Sequence, residues 1–173
     1  MTLQVLFSGH RVDAPDRPVP RFPATHAAEA ASAISASLPR GEFTGLSSAS
    51  NGGDILFLEA CAARAMSCHI ILPFPSDEFL RRSVATEAPG DWEARFRRLW
   101  DATPDVRRHV LTPQDSANPY AVCNDALLSL AAEQSQPWVI ALWDGQSGDG
   151  SGGTADLVAQ ARARNWPVTV IRP

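Results

Sequence analysis

Trp138–Ala161 reads WVIALWDGQSGDGSGGTADLVAQA, and the order of its residue types decides the fold. The apolar run Trp138 to Trp143 has the length and character of a buried strand. Asp144 then opens a loop that carries Gly145, Gly148, Gly150, Gly152 and Gly153. From Thr154 onward, Leu157, Val158 and Ala161 recur at helical spacing. Strand, glycine-rich turn and helix start in this order make an anion site, because glycines allow close backbone approach and the first helical N–H groups lack partners. Phosphate is the expected occupant. A second turn of the same kind, Leu46–Asp54 (LSSASNGGD), lies earlier in the chain. Two such turns in one small domain point to a nucleotide pocket.

Outward from these turns the chain alternates strand and helix patterns. Leu3–Ser8 reads as a buried strand ended by Gly9. A proline-rich loop (Pro15, Pro18, Pro20, Pro23) precedes helical spacing over Ala24–Leu38. Phe43–Ala49 is a second strand, weakened by Gly45, and Asp54–Met66 is a nearly all-apolar helix. His69–Pro73 forms a third strand, and Asp91 can cap a helix with the stripe Trp92, Phe96, Leu99 and Trp100. Val106–Leu111 is a short strand. Asn118-Pro119 opens a helix with Val122, Ala126, Leu127 and Leu130 inward. Val168–Ile171 is the last strand. The alternation predicts an α/β fold: a single doubly wound, mostly parallel, Rossmann-like sheet with helices on both faces. The first strand should be central, with the strands near residues 46 and 70 on one side and that near 140 on the other. Ligands bind at such a reversal, outside the carboxyl ends of the strands.

The chain of 173 residues is 45% hydrophobic and 20% charged, which suits one domain, 1–173, with a real core. It stops just after its last strand, as either a small free protein or one domain of a longer one would. A net charge of −4 argues against a polyanion binder and makes nucleic acid an unexpected partner. All 15 basic residues are arginine. A lysine Schiff base and a Walker-type lysine are therefore excluded, and any phosphate clamp must use arginine or backbone N–H groups. Cys61, Cys68 and Cys123 form no C-x-x-C pair and read as reduced hydrophobes. No metal site and no cofactor is expected. No apolar run reaches membrane length, and strand pattern from Leu3 leaves no room for a signal peptide, so a cytoplasmic location is expected.

The chain resembles the SLOG superfamily of Rossmann-like nucleotide-binding domains, which includes the LOG phosphoribohydrolases, the DNA-processing protein A family and the nucleotide-sensing domain of melastatin-type TRP channels. Gly45–Asp77 is similar to the DNA-processing pattern of strand, small-residue turn, G-x-D, apolar helix and strand. Gly150–Asp156 (GSGGTAD) resembles the glycine–threonine phosphate turn, PGGxGT in LOG enzymes. Phe7-Ser8-Gly9 resembles the small-residue end of the family's first strand. The resemblance implies a nucleotide ligand. It departs where LOG enzymes carry a catalytic glutamate three residues after the threonine, because Leu157 stands there and Asp156 is the nearest acid.

The expected phosphate contacts are Gly152, Gly153 and Thr154, with Asn51, Gly52, Gly53 and Asp54 in the second turn. Asp54 reads equally as a helix N-cap or first-turn acid. Ser8, Gly9, His10 and Arg11 follow the first strand; His10 and Arg11 meet phosphate or ribose, or lie in a solvated loop. Asp144 and Gly145 end the fifth strand, where Asp144 accepts ribose hydroxyls or merely shapes the turn. Trp143, just before Asp144 at the strand end, should lie within a few ångströms of the crevice. Arg81 and Arg82 close on phosphate or face solvent, Glu59 is a buried paired acid, and Arg95, Arg97 and Arg98 form an outer helix face. His26, His69 and His109 lack partners at ligand or triad spacing. The leading reading is a domain that binds or senses a nucleotide or nucleotide sugar and passes occupancy to a fused or associated effector domain or, in a homo-oligomer, to another subunit. The alternative is an enzyme, a nucleotide N-glycosidic hydrolase or 2-deoxyribosyltransferase. That chemistry needs a carboxylate near the anomeric carbon, from among Asp54, Glu59, Asp144 and Asp156.

Overall fold

The computed structural model describes residues 3–112, 117–133, 137–148 and 151–173, so Gly150 of the phosphate turn lies outside the described residues. Six strands form one sheet: β1 (Leu3–Gly9), β2 (Phe43–Ser47), β3 (Ser67–Leu72), β4 (Arg108–Val110), β5 (Pro137–Leu142) and β6 (Val168–Ile171). All pairings are parallel, in the order β4-β3-β2-β1-β5-β6. β1 is central as expected, and the order reverses beside it. Gly9 stands in register with Leu142, which brings the ends of β1 and β5 together at that reversal.

The pleat alternates side chains between two cores. Val5 and Phe7 of β1, with Ile140 and Leu142 of β5, pack under α1 (Ala27–Ser37), α2 (Gly53–Ala63) and α4 (Trp92–Ala102). Leu6 and Val139 point to the opposite face, under α5 (Pro119–Ala132) and α6 (Thr154–Ala163). The short helix α3 (Ser76–Phe79) runs on as a π-turn over Leu80–Val84. Phe7 stacks on Phe57 with ring centroids 4.8 Å apart. That ring explains Gly45 inside β2: a Cβ there would lie 2.6 Å from Cys68 Sγ and 3.2 Å from the Phe57 ring. The glycine is a packing requirement of the strand, not a weakness. Among the described residues no helix is long and apolar enough to cross a membrane.

Several local expectations shift. The Val106–Leu111 segment divides into a 3₁₀ turn, Asp105–Arg107, and the short β4, and Val106 is 80% exposed. Ala24–His26 is likewise a 3₁₀ turn before α1. Asp91 precedes α4 but makes no capping bond; its carboxylate faces Arg95 at 3.9 Å. In α5 the buried residues are Cys123, Asn124, Leu127, Leu128 and Ala131, while Val122, Ala126 and Leu130 are only partly covered. Hydropathy counts Asn124 as outward, yet its side chain is held by the Gly153 carbonyl at 3.2 Å.

Candidate functional site

In a parallel sheet every helix that follows a strand begins at the same end. The N-termini of α2, α5 and α6 therefore open together around the exits of β1 and β2. Between them lies a cleft of about 1170 Å³. Its walls come from Ser8–Ala14, Ser48, Ser50, Asp54, Arg82–Ser83, Tyr120, Asn124 and Ser151–Thr154, with Arg17 and Arg21 of the proline-rich loop at the mouth.

The α6 side is built from the glycine turn. Thr154 starts the helix, and its N-cap Gly153 supplies no side-chain cap. Ser8 Oγ lies 3.0 Å from Thr154 Oγ1, placing two hydroxyls where the helix opens. Gly152 has φ +94°, and a Cβ there would stand 2.6 Å from the Ala121 amide nitrogen. Its left-handed backbone thus lets the turn lie against the start of α5. The Asn118 side chain caps α5 at the Ala121 N–H (3.1 Å) and donates to Ser151 O, and Asn124 donates to Gly153 O. Asp156 accepts from Gly152 N at 3.1 Å and from Gln160, so this acid holds the turn together. Leu157 is fully buried in the core beneath the sheet.

The α2 side is tighter still. Gly52 has φ +86°, and a Cβ would meet His10 O at 2.7 Å. Gly53 N donates to His10 O at 3.0 Å. Gly52 and Gly53 therefore let two protein backbones touch, and neither lines the cleft. Asn51 is also turned away: 1% exposed, it donates to Val84 O and Thr86 Oγ1, pinning the π-turn segment as a wall. Asp54 does line the cleft, and Ser50 N donates to its Oδ2 at 3.2 Å. Burial raises its carboxyl to about 7, against the lowering pull of Ser50, Gly9 and Arg11.

Asp144 and Gly145 are placed outside the cleft lining. Asp144 receives Arg21 Nε at 2.7 Å and Nη2 at 3.0 Å, and it accepts from Gln146 N. The Arg21 guanidinium holds its carboxyl well below the usual carboxylate range. His10, 6% exposed, puts Nε2 3.1 Å from Asp144 Oδ1 and 3.2 Å from the Asp144 amide nitrogen. With a proton Nε2 bonds the carboxylate, and without one it accepts the amide, so the contact suits either state. Asp13 completes the clasp by accepting from the N–H groups of Arg21 and Phe22, each at 2.8 Å. The proline-rich loop is thereby folded over the exit of β1.

Arg11 and Arg82 meet at the rim, where Arg11 Nη1 donates to Arg82 O. Arg82 lies over the Phe74 ring at 4.4 Å and pairs with Glu78, while Arg81 is exposed. Trp143 is not in the lining; its ring sits beside Arg162 and its Nε1 donates to Gln146 O. Tyr120 and Phe7 are aromatic residues in the cleft lining, and the Tyr120 hydroxyl lies 2.8 Å from Ser83 Oγ. Asp13, Arg21, Ser83, Tyr120 and Asn124 carry no motif. A usable signal exists for Tyr120 and Asn124, since the first two turns of the helix after β4 must lie at the same end as the glycine turns.

Away from the cleft, Glu59 is paired with Arg95 (2.8 and 2.5 Å). The bond raises the arginine above its ordinary range, and Arg95 also lies over Trp92 at 4.2 Å. Arg97 and Arg98 are exposed. His69 and His109, without partners at sequence spacing, meet across β3 and β4, with Nδ1 and Nε2 2.9 Å apart. The ring centroids are 5.2 Å apart. That separation equals the N···N distance plus one ring radius at each end, so the nitrogens point straight at each other. Such a line fits one shared proton and leaves no place for a bridging ion. No family model and no curated protein sequence matches the chain.

Proposed function

We propose that the cleft binds a nucleotide or nucleotide sugar, with its phosphate against Gly153–Thr154 and Ser8, and that the domain senses this ligand and passes occupancy to a partner domain or subunit. Membership of the SLOG superfamily belongs to the same proposal. The observation that carries it is the start of α6, which lacks a side-chain cap and opens into the cleft beside two hydroxyls at the sheet's reversal point. Uncapped helical N–H groups need partners, and the helix dipole favours an anion. Arginine is the cationic residue type within reach of the cleft: Arg11, Arg17, Arg21 and Arg82 are in its lining, the last three each engaged with a carboxylate.

Cleavage of the ligand is not part of the proposal. The glutamate position of the LOG resemblance is Leu157, fully buried, and Asp156 is held by Gly152 and Gln160. A thermal-shift series over AMP, ADP, ADP-ribose, NAD and cyclic dinucleotides tests binding. A ligand that binds only the folded state raises Tm in proportion to the logarithm of its concentration over Kd. No shift with any of them at millimolar concentration would sink the reading. AMP incubated overnight with stoichiometric protein should stay intact, and adenine found by chromatography would make this an enzyme.

A further inference from the structure

Two cysteines at the end of the sheet away from the cleft share one place in the core. Cys61 follows Phe57 by one turn of α2, so both side chains leave the same face of the helix. Cys68 belongs to β3 and stands in register with Gly45 of β2. A Cβ at Gly45 would fall 2.6 Å from Cys68 Sγ and 3.2 Å from the Phe57 ring. The missing side chain of Gly45 thus leaves a slot under α2, and the Cys68 sulfur occupies it. The chain between the cysteines reverses tightly: Met66 N returns to Cys61 O at 2.9 Å through left-handed Ala65. Both residues belong to the same core cluster, and their thiols are hydrogen-bonded to each other. That bond and burial push the Cys61 thiol well above its ordinary range, so Cys61 keeps its proton and donates it.

Exposure divides the pair. Cys61 is 0% exposed, whereas Cys68 is only partly covered. Arg64 places a positive charge beside them, with its guanidinium over the Phe43 ring at 5.8 Å. Cys123 takes no part, because it packs in the core on the other face of the sheet and bonds Ile71 O at 3.4 Å. We propose that Cys61 and Cys68 are a modification site, at which hydrogen peroxide closes a reversible disulfide between α2 and β3. The accessible Cys68 sulfur gives up its proton and attacks one peroxide oxygen. An S–O bond forms as the O–O bond breaks, and the departing hydroxide takes the proton and leaves as water. The Cys61 sulfur then attacks the sulfur of this sulfenic acid; the S–S bond forms, and the released hydroxide leaves as water with the Cys61 proton. Two thiols and one peroxide give one disulfide and two waters, and a thiol reductant restores the pair. The bridge fastens the far end of the helix whose first turn carries Asp54 at the cleft. The domain thereby gains an input that does not depend on what the cleft binds.

Trypsin cuts after Arg64, between the two cysteines, and separates segment 41–64 from segment 65–81. The reduced, folded protein is treated with hydrogen peroxide, cleared of it, unfolded in an alkylating agent and digested without reductant. Mass spectrometry should find the two segments joined, two hydrogens lighter than their sum, and parted by dithiothreitol. Free thiols counted after unfolding should fall from three to one, the survivor being Cys123. The link should form faster, by roughly tenfold or more, than in protein unfolded in urea, because the fold holds the thiols together. Cys61→Ser should stop the reaction at the sulfenic acid, which dimedone captures at Cys68. Cys68→Ser should leave the other two cysteines reduced under the same treatment. Segments recovered apart with Cys61 alkylated, or a link to Cys123, overturn the proposal. So does a link that forms as readily in urea, since spacing in the chain would then suffice. The unmutated protein supplies these deciding outcomes even where a serine variant fails to fold.

Discussion

Ser8 Oγ and Thr154 Oγ1 stand 3.0 Å apart although they lie 146 positions apart in the chain. The pair joins the central strand to the helix that follows the glycine turn, at the point where the proposed phosphate would sit. Thr154 is 5% exposed, so its hydroxyl cannot turn to bulk water for a substitute partner. Thr154→Val keeps the shape and removes the hydroxyl. We expect a stability loss of about 1 kcal/mol, the usual worth of a buried hydrogen bond. AMP affinity should fall roughly tenfold, as expected when one bond to a charged group is lost. Urea titration and calorimetry read the two effects separately.

Gly153→Val separates folding from binding. Gly153 has φ −82° and ψ 177°, extended backbone that valine readily adopts. The fold should therefore persist, with an unchanged circular dichroism spectrum. The branched side chain would occupy the approach to the first N–H groups of α6, so AMP binding should be abolished. Unaltered affinity in the folded variant would place the phosphate elsewhere.

The Arg21–Asp144 pair should govern the loop over β1. Their side chains are 10% and 20% exposed, so removing one partner leaves a largely buried charge. Arg21→Ala should cost about 2 kcal/mol, somewhat below the range for fully buried pairs. Asp144 titrates below its unfolded value in the folded protein, chiefly because of the Arg21 hydrogen bond. Its stabilisation is thus complete above the ordinary carboxylate range and is lost as the pH falls through the folded value. Denaturant midpoints for the parent and Asp144→Asn should differ at neutral pH and converge in acid.

The His69–His109 pair makes the β3–β4 edge sensitive to mild acid. Burial, then the charges of His109 and Arg107, hold His69 below its ordinary value of 6.5. On acidification the unfolded chain takes the proton first, so stability is intact above about 6.5 and declines as the pH falls toward the folded value. The Tm of the parent should drop across that interval. His69→Gln should lack this component of the drop, and an identical pH profile in the variant would count against the shared-proton arrangement.

Ala65 ends α2 in the left-handed region at φ +54° and is exposed. Met66 N returns to Cys61 O at 2.9 Å, a closure that ordinarily places glycine at this position. Ala65→Gly should stabilise the protein by about 0.5–1 kcal/mol, because the strain on Cβ exceeds the added freedom of the unfolded chain. Asn165 plays the equivalent part after α6 at φ +57° and tolerates it better. Chemical denaturation of Ala65→Gly and Asn165→Gly should show the larger gain at Ala65.

Much of the architecture is legible in the sequence because it depends on local pattern. The run from Trp138, the helical spacing after Thr154 and the alternation of such units dictate a parallel sheet, and chirality then dictates which strands lie on each side of β1. The glycine turns could likewise be placed at one end of that sheet. What those residues face is a different matter. Gly52 serves contact between two backbones, Asn51 pins a wall, and Asp144 clasps Arg21, although each carries the signature of a ligand contact in its turn. Tyr120 and Asp13 enter the cleft with no motif to announce them, and His69 finds His109 only across a strand pair. Secondary structure and its order follow from periodicity and backbone sterics within a few turns of chain, so the sequence by itself determined them. The direction of each polar side chain depends on partners distant in the chain, brought close only when the sheet closes over its two cores, and that was decided by the tertiary structure alone.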